Sequence, residues 1–337
     1  EMAVACLDME PGDEVIIPSY NFPSAANAVL LHGGVPVLCD IDGDTQNISV
    51  EDMLGRIGPR TRAVVAVHYG GVSCPMMELK EALRAAGIAL IEDAAQGIGA
   101  FYVGMGMDGT GLWNGRQDGD GPHRFPLGSM GDFGALSFHH TKNITCGEGG
   151  ILIARSRKDY RTACQYRLHG TDRAMYLAGE VDRYTWNMPG SCTAMSELQA
   201  AVLASQMELL EDVTSRRRAI VDGYRDRLRV LEEKGIARLM GIPGYAEPNG
   251  HIFYLRFETG AQRDYVKDFL AHREIESKTH YVPLHMSPQG QRLGYRADDL
   301  MEASKCFETL LRLPVHGQMV GEQMEFVAGM VLKACGL

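Results

Sequence analysis

The first half of the chain alternates short apolar runs with segments of helical periodicity. The six runs are EVIIP at 14–18, VPVLCD at 35–40, TRAVVAVHY at 61–69, GIALIED at 87–93, GALSFH at 134–139 and GGILIA at 149–154. They are apolar at nearly every position, which is typical of strands buried on both faces of a sheet. Helical patterns at 24–32, 76–86 and 157–167 lie between them. The sequence therefore predicts an α/β fold with a mostly parallel central sheet and flanking helices.

The second half predicts a smaller unit. A long helical pattern runs from 193 to 231, followed by an apolar strand pattern, HIFYLRF at 251–257, and a helical pattern at 262–272. We therefore predict a large domain over residues 1–230 and a small C-terminal α/β domain over residues 231–337. The opening residues, EMAVACLDM, read as the end of a helix without an N-cap, so we expect the large domain to be truncated at its N-terminus.

Composition excludes several classes of function. The 337 residues are 45% hydrophobic and contain 33 Lys and Arg against 43 Asp and Glu, a net charge of -10, which argues against nucleic-acid binding. The eight cysteines form no CxxC pair, which suits a reducing compartment. No apolar run reaches the ~18 residues of a membrane span, and no signal peptide opens the chain. We expect a cytoplasmic protein with no membrane contact.

An insertion rich in Gly and Asp is predicted at about 105–123. It begins with GMGMDG, a formal GxGxxG at Gly104, Gly106 and Gly109, which raises the alternative of a nicotinamide-dependent oxidoreductase. A dinucleotide fingerprint must open a helix, and TGLWNGRQDGDG cannot form one, so a glycine-rich loop is the better interpretation. The DGDG at 118–121 lacks the spacing of a calcium loop, and no metal site is predicted.

Two side chains at strand ends suggest a specific chemistry. Asp93 ends one buried strand, and Lys142 follows another, so both are expected at the carboxyl edge of the sheet, where such folds bind ligands. Pyridoxal 5'-phosphate needs both groups, since an amine forms its Schiff base and an Asp holds the proton on its pyridine nitrogen. Ser137 offers a hydroxyl for the phosphate, and Phe22 a ring that can stack on the cofactor, although each is an ordinary residue by itself.

Several motifs, in order, resemble the DegT/DnrJ/StrS family of pyridoxal-phosphate sugar aminotransferases. They are PSYNFPSAANAVL, DIDGDTQNIS, AVHYGGV, IEDAAQGIGA, LGSMGDFGALSFHHTKN with GEGG, and YVPLH. The resemblance implies the fold type I of pyridoxal-phosphate transferases and a homodimer with a shared active site. The stretch at 169–201 is most similar to members that transfer an amino group from L-glutamate to the 4-keto group of dTDP-4-keto-6-deoxyglucose.

The resemblance also implies roles for individual residues. It assigns Lys142 to the covalent attachment of the cofactor, Asp93 to the pyridine nitrogen and Gln96 to the side of the ring hydroxyl. It assigns Phe22 to ring stacking and Ser137 to the phosphate. The candidates for contacts with the substrate are His68, Tyr281 and His285.

The chain departs from the family pattern at two places that concern the phosphate. The Ser/Thr turn that binds it in relatives would lie upstream of Glu1, and Ala194 stands where relatives carry an Asn from the neighbouring subunit. Ser191 or Thr193 is a substitute donor there. Three alternatives stay open: amination of a 3-keto sugar, the dehydratase branch, in which a His replaces the lysine, and an inactive, truncated remnant.

Overall fold

The computed structural model describes residues 1–104 and 122–337. In these residues the strands are β1 Glu14–Pro18, β2 Val35–Cys39, β3 Thr61–Val67, β4 Ala89–Asp93, β5 Phe101–Gly104, β6 His123–Pro126, β7 Phe133–Ser137, β8 Gly150–Ala154, β9 Ala237–Leu239, β10 Ala246–Glu247, β11 Phe253–Phe257 and β12 Leu310–Leu313. The helices are α1 Met2–Ala5, α2 Ser24–Leu31, α3 Val50–Gly55, α4 Met76–Arg84, α5 Arg157–Arg167, α6 Arg173–Leu177, α7 Glu197–Met207, α8 Leu210–Glu233, α9 Gly260–Ala271, α10 Pro288–Arg292, α11 Met301–Thr309 and α12 Gly321–Ala334.

The central sheet has the order β2-β1-β3-β4-β7-β8. All neighbouring pairs are parallel except β7 with β8, which confirms the predicted, mostly parallel sheet of fold type I. The inner strands β1 and β3 are buried at nearly every position, as their unbroken apolar runs predict. Because β1, β3, β4 and β7 run in the same direction, their carboxyl ends meet at one edge of the sheet, and this edge carries the candidate site.

One long helical pattern proves to be two helices. The segment 193–231 forms α7 and α8, with a break at Glu208 and Leu209. No Gly or Pro marks this break in the sequence. Its cause is packing, because Leu210 and Val213 turn onto a small buried cluster that also contains Phe138. The prediction of a single helix was therefore wrong.

The C-terminal part forms a separate three-stranded antiparallel sheet with the order β12-β11-β9. The predicted domain boundary at 230 falls inside the last turns of α8. Buried side chains on both sides of it, including Val65 and Phe253, belong to one continuous hydrophobic cluster. The division into two domains therefore stays a prediction.

The flanks of the predicted insertion are structured. The strands β5 and β6 pair with each other on either side of it, and β10 pairs with β5. Residues 105–121, which contain most of GMGMDG and all of DGDG, lie outside the described residues. None of the helices in the described ranges is both long and apolar enough to cross a membrane.

Candidate active site

Asp93 and Lys142 lie at the carboxyl edge of the central sheet. Asp93 is the last residue of β4, opposite Val67 of β3 and Ala135 of β7. Lys142 follows β7 in a turn whose geometry is set by its backbone N–H, which donates to the carbonyl oxygen of His139 at 2.9 Å. The topology therefore brings the two predicted residues to one crevice, as expected from their positions after adjacent parallel strands.

The charge environment of Lys142 confirms that the two groups are neighbours. Burial lowers the pKa of Lys142, the Asp93 carboxylate acts in the opposite direction, and the guanidinium of Arg312 lowers it further. A buried amine with a lowered pKa is more readily available in its neutral, nucleophilic form.

The Asp93 carboxylate has unused hydrogen-bonding capacity. Its Oδ1 accepts the backbone N–H of Ala95 at 3.1 Å. Within residues 1–104 and 122–337 it forms no ion pair, although it is half-buried. A partly buried carboxylate without a cationic partner is costly, so the position suits a ligand that carries a positively charged N–H.

Gln96, Tyr281 and Phe22 form one wall of the crevice. Gln96 Oε1 accepts the N–H of Gly70 at 2.7 Å, and its Nε2 donates to the Tyr281 hydroxyl at 3.1 Å. Gly70 has a φ of 66°, a left-handed conformation that glycine adopts without strain and that turns its N–H towards Gln96. Phe22 is 58% exposed, and its ring centroid lies 6.4 Å from that of Tyr281. The wall thus offers an uncovered aromatic face.

Ser137 ends β7 opposite Gly150 of β8. Its Oγ accepts the backbone N–H of His139 at 3.3 Å, and the side chain is half-buried. The hydroxyl therefore stands at the same strand end as the turn that contains Lys142, where it can serve as a donor.

Two predicted substrate contacts are not brought into the crevice. His68 is completely buried: its Nδ1 accepts the N–H of Cys74 at 3.1 Å, so the ring proton is on Nε2, which donates to Glu92 at 2.9 Å. His285 is equally buried, and its Nδ1 bonds Ser19 Oγ at 2.7 Å. Both imidazoles are occupied by the protein itself, so the geometry gives them structural positions.

Sequence reasoning missed four residues in two contacts near the lysine turn. Asn143 is buried, and its Oδ1 accepts a hydrogen bond from His251 Nδ1 at 2.8 Å, which ties the lysine turn to the segment before β11. Arg312 on β12 contacts the imidazole Nε2 of His280. The sequence carried little signal for these contacts, because β12 was not predicted and the partners are far apart along the chain.

One group of potential metal ligands lies beside the site. Ligand atoms of His139, His140 and Glu148 all lie within 4.8 Å of one another. However, the Glu148 side chain is 74% exposed, and His139 Nδ1 bonds the hydroxyl of Thr141 at 2.8 Å. The cluster is an exposed one, and the prediction of no metal stays a prediction.

The comparison with protein families decides the identity. Residues 1–332 match the model of the DegT/DnrJ/EryC1/StrS aminotransferase family. The chain belongs to this family. As a DegT-type aminotransferase it is an enzyme, and enzymes of this family depend on pyridoxal 5'-phosphate, so the cofactor prediction is confirmed. The oxidoreductase alternative is excluded by the same match.

Solved structures of aminotransferases have the same fold. The aminotransferase TlmJ from Streptoalloteichus hindustanus is 26% identical, with a TM-score of 0.84, and the match covers 99% of this chain and 82% of TlmJ. DesV from S. venezuelae is 27% identical, with a TM-score of 0.82, and the match covers 98% of this chain and 81% of DesV. The putative sugar aminotransferase Spr1654 from Streptococcus pneumoniae, in its PMP form, is 22% identical, with coverages of 99% and 86% and a TM-score of 0.83.

Proposed function

We propose that this DegT-type enzyme transfers an amino group from L-glutamate to the 4-keto group of a nucleotide-linked sugar, dTDP-4-keto-6-deoxyglucose. The observation that carries the proposal is the half-buried amine of Lys142 beside the Asp93 carboxylate, which forms no ion pair within the described residues. Transamination needs both groups at one place, an amine that exchanges with the incoming donor and an acid that holds a proton on the cofactor ring.

The residues around this pair fit pyridoxal 5'-phosphate. The unpaired carboxylate of Asp93 suits the protonated pyridine nitrogen, and the uncovered ring of Phe22 suits a flat aromatic ligand. The Gln96 amide, which orients the Tyr281 hydroxyl, suits the side of the ring hydroxyl, and the Ser137 hydroxyl suits the phosphate. When bound, the cofactor supplies an aldehyde that takes up amines and a ring that accepts the electrons of a deprotonated carbon.

Lys142 has two tasks in this proposal. Its Nζ would hold the cofactor and, with the donor amine in its place, would accept the proton from the donor Cα and later give a proton to the sugar carbon. Burial lowers the pKa of this amine, while the nearby Asp93 limits the shift. The neutral amine needed for proton removal is therefore more accessible at neutral pH than that of a surface lysine.

The substrate assignment rests on the sequence and on relatives. The stretch 169–201 resembles enzymes that aminate C4 of dTDP-4-keto-6-deoxyglucose, and Spr1654 is described as a putative sugar aminotransferase. Tyr281 stands at the open wall and is our candidate for contact with the sugar. His68 and His285 have no exposed surface, so we give them a structural role and no contact with the substrate.

The cofactor role of Lys142 is tested by reduction with borohydride. Protein purified with pyridoxal 5'-phosphate should be yellow, and borohydride should leave the cofactor covalently attached to the peptide that contains Lys142. The variant Lys142→Ala should retain no cofactor after reduction and denaturation, whereas the control Lys234→Ala, at an exposed position, should behave as the wild type. Attachment to another lysine would contradict the assignment.

The substrate is tested separately, with purified sugar nucleotides. Incubation with dTDP-4-keto-6-deoxyglucose and L-glutamate should give 2-oxoglutarate and a 4-amino sugar. Product from a 3-keto isomer alone would overturn the proposed position of amination but leave the aminotransferase assignment in place.

We also propose a homodimer. Large apolar side chains are exposed on the segment from β8 to α7: Trp186 is 76% exposed and Leu198 is 82% exposed. Such exposure on neighbouring elements is typical of a surface covered by a partner. The molecular mass in solution, measured by light scattering, should be about twice that of the 37.0 kDa chain. The variant Leu198→Glu should shift it towards the monomer.

A further inference from the structure

The guanidinium of Arg312 has no anionic partner in the described residues, although its charge reaches Lys142 and lowers the pKa of that amine. It projects from β12 and is half-buried. Its Nη1 contacts Nε2 of His280, and its Nε is buried without any hydrogen bond. Burying part of a guanidinium without an acid or a full set of acceptors is unfavourable, so the position requires an explanation.

The imidazole partner of Arg312 does not neutralise it. Burial, reinforced by Arg312, lowers the pKa of His280 to about 3, so its ring is neutral. A guanidinium can only donate, so Nε2 of His280 accepts from it and the ring proton is on Nδ1, facing the Tyr69 hydroxyl at 3.0 Å. His280 therefore orients the guanidinium without compensating its charge.

The surroundings of Arg312 carry an excess of positive charge. Lys142 and Arg217 both have pKa values lowered by burial and by the charge of Arg312. Nη1 of Arg217 donates to three backbone carbonyl oxygens, including that of Val315 at 3.2 Å, while its Nε has no partner in the described residues. The carboxylate whose charge reaches Lys142 is Asp93. Two guanidinium groups against one carboxylate around the Lys142 amine favour the binding of an anion.

The position of Arg312 indicates which anion is expected. The amine of an amino-acid donor takes the place of the Lys142 amine, and its α-carboxylate is then only two bonds from the reacting nitrogen. The diphosphate of a nucleotide sugar is carried on C1, across the ring from a 4-keto group. A planar guanidinium also matches a carboxylate through two parallel hydrogen bonds. The ring of His280, which holds Arg312, stacks on Tyr281 at 4.2 Å, which puts the guanidinium at the wall formed with Gln96.

We propose that Arg312 binds the α-carboxylate of the amino-acid donor. The assignment rests on the proposed aminotransferase function and adds the residue that selects α-amino acids over simple amines. Arg312 holds the donor so that its Cα hydrogen stays within reach of Lys142. Arg217 is buried, with Nη1 held by three backbone carbonyl oxygens, and keeps a structural role.

Three donors test the assignment: L-glutamate, L-glutamine, which lacks the side-chain carboxylate, and L-isoglutamine, in which the α-carboxylate is an amide. The apparent affinity of the holoenzyme for each is measured by the loss of cofactor colour without any sugar. In the wild type, isoglutamine should bind about 10- to 150-fold more weakly than glutamate, the range for a hydrogen bond to a charged group. Equal affinities would overturn the assignment without any variant.

Variants then identify the residue responsible. Arg312→Gln should weaken the binding of glutamate and glutamine by the same factor and leave the binding of isoglutamine unchanged. Arg312→Lys keeps the charge but not the two parallel N–H donors, so its affinities for glutamate and glutamine should lie between those of the wild type and Arg312→Gln. The control Arg227→Gln removes an exposed arginine and should change nothing. Affinities for the cofactor and for the sugar nucleotide should stay at the wild-type values.

Other outcomes contradict the assignment in distinguishable ways. An equal loss for all three donors, or a loss of cofactor affinity, would show that Arg312 acts on the cofactor instead. A loss confined to glutamate and isoglutamine would show that it binds the side-chain carboxylate. A wild-type holoenzyme that reacts with no amino acid would overturn the proposed function together with this assignment, whereas the preceding outcomes overturn this assignment alone.

Discussion

Two neighbouring acids on the same strand have opposite environments. Glu92 is completely buried and accepts four hydrogen bonds, from the ring of His68 at 2.9 Å and from the backbone N–H groups of Gly128, Met130 and Gly131 at 2.9, 2.6 and 2.5 Å. Asp93, on the other face of β4, is half-buried and accepts one side-chain hydrogen bond in the described residues, from Ala95.

The contrast separates structure from function. Every acceptor position of Glu92 that the protein can reach is occupied, and the result is a fixed turn at 128–131 beneath the site. Asp93 keeps an unsaturated carboxylate next to Lys142, at a cost to stability that only a ligand would offset. We infer that the unsaturated carboxylate of Asp93 faces a ligand and that the saturated carboxylate of Glu92 belongs to the scaffold.

The largest effect is expected at Lys142 itself. Lys142→Ala should reduce the rate of transamination by about 10⁴-fold or more, because the same amine is the proposed attachment point and the proposed proton carrier. The melting temperature should change little, because the Lys142 side chain forms no hydrogen bond within the described residues. Full activity in this variant, measured with glutamate and a keto sugar, would contradict the functional role given to the Asp93 side of the strand.

The second prediction concerns the replacement of each of the two acids, Asp93 and Glu92, by its amide. Asp93→Asn should lower the rate by about 10²-fold or more, because an amide cannot hold the ring proton electrostatically. It should slightly raise the free energy of unfolding of the cofactor-free protein, because it removes a half-buried charge. Glu92→Gln should instead lower the free energy of unfolding by about 3–5 kcal/mol, the range for breaking one member of a buried charged hydrogen-bonded network. Denaturant titration and steady-state rates of both variants provide the measurement.

The pH dependence of stability gives the same comparison an independent readout. Burial opposes the charge of Glu92, but the hydrogen bonds from His68 and the backbone outweigh it and lower its pKa. A lowered carboxyl pKa contributes stability above about pH 4.3, the unfolded value, and that contribution is lost as the pH falls through the lower folded value. Glu92→Gln should therefore flatten the acid limb of the stability profile relative to that of the wild type. Identical acid limbs would contradict the distinction.

The parts of this picture that sequence could predict are those set by local pattern. The strand runs of the central sheet were predicted within two residues at each end, and α5 was predicted at its observed bounds, because burial on both faces and the N-cap at Ser156 leave plain signals. Strand order then sufficed to bring Asp93 and Lys142 together. The roles of these residues, like those of Phe22, Gln96 and Ser137, stay predictions.

What sequence could not predict depends on partners from distant segments. A histidine after a buried strand looks the same whether it faces a ligand or, as His68 does, a buried carboxylate. His285 likewise meets Ser19 and Ser304, separated from it by 266 and 19 residues. Arg312 lies on a strand that has no clear apolar period of its own and forms only by pairing with β11. Tertiary packing, not local preference, decides each of these positions.

A third and smaller effect is expected at Asn143. Asn143→Ala leaves the Nδ1–H of the half-buried His251 without its acceptor, which should cost about 1–3 kcal/mol of unfolding free energy. Because this hydrogen bond also holds the turn next to Lys142, the rate should fall about tenfold while the affinity for cofactor changes little. The control is Asn27→Ala at an exposed position of α2. A loss of stability with an unchanged rate would show that the tie does not position the lysine.

The smallest effect is expected at Phe22. It tests whether an exposed apolar ring at the site, like the unsaturated carboxylate of Asp93, meets the ligand. Phe22→Leu should weaken cofactor binding by about 2- to 12-fold, the worth of an aromatic stacking contact of about 0.5–1.5 kcal/mol, because leucine keeps the apolar surface but not the flat ring. Phe326 on α12 is 56% exposed, nearly the same as the 58% of Phe22, so Phe326→Leu is a matched control that should leave cofactor affinity unchanged. Neither substitution should alter the melting temperature appreciably, since both rings are more than half in solvent. Fluorescence titration with pyridoxal 5'-phosphate distinguishes the two. Equal cofactor affinities for the two variants would mean that the ring of Phe22 does not contact the cofactor. Exposure of an aromatic ring would then not identify a ligand contact, whereas an unsaturated polar group such as Asp93 still would.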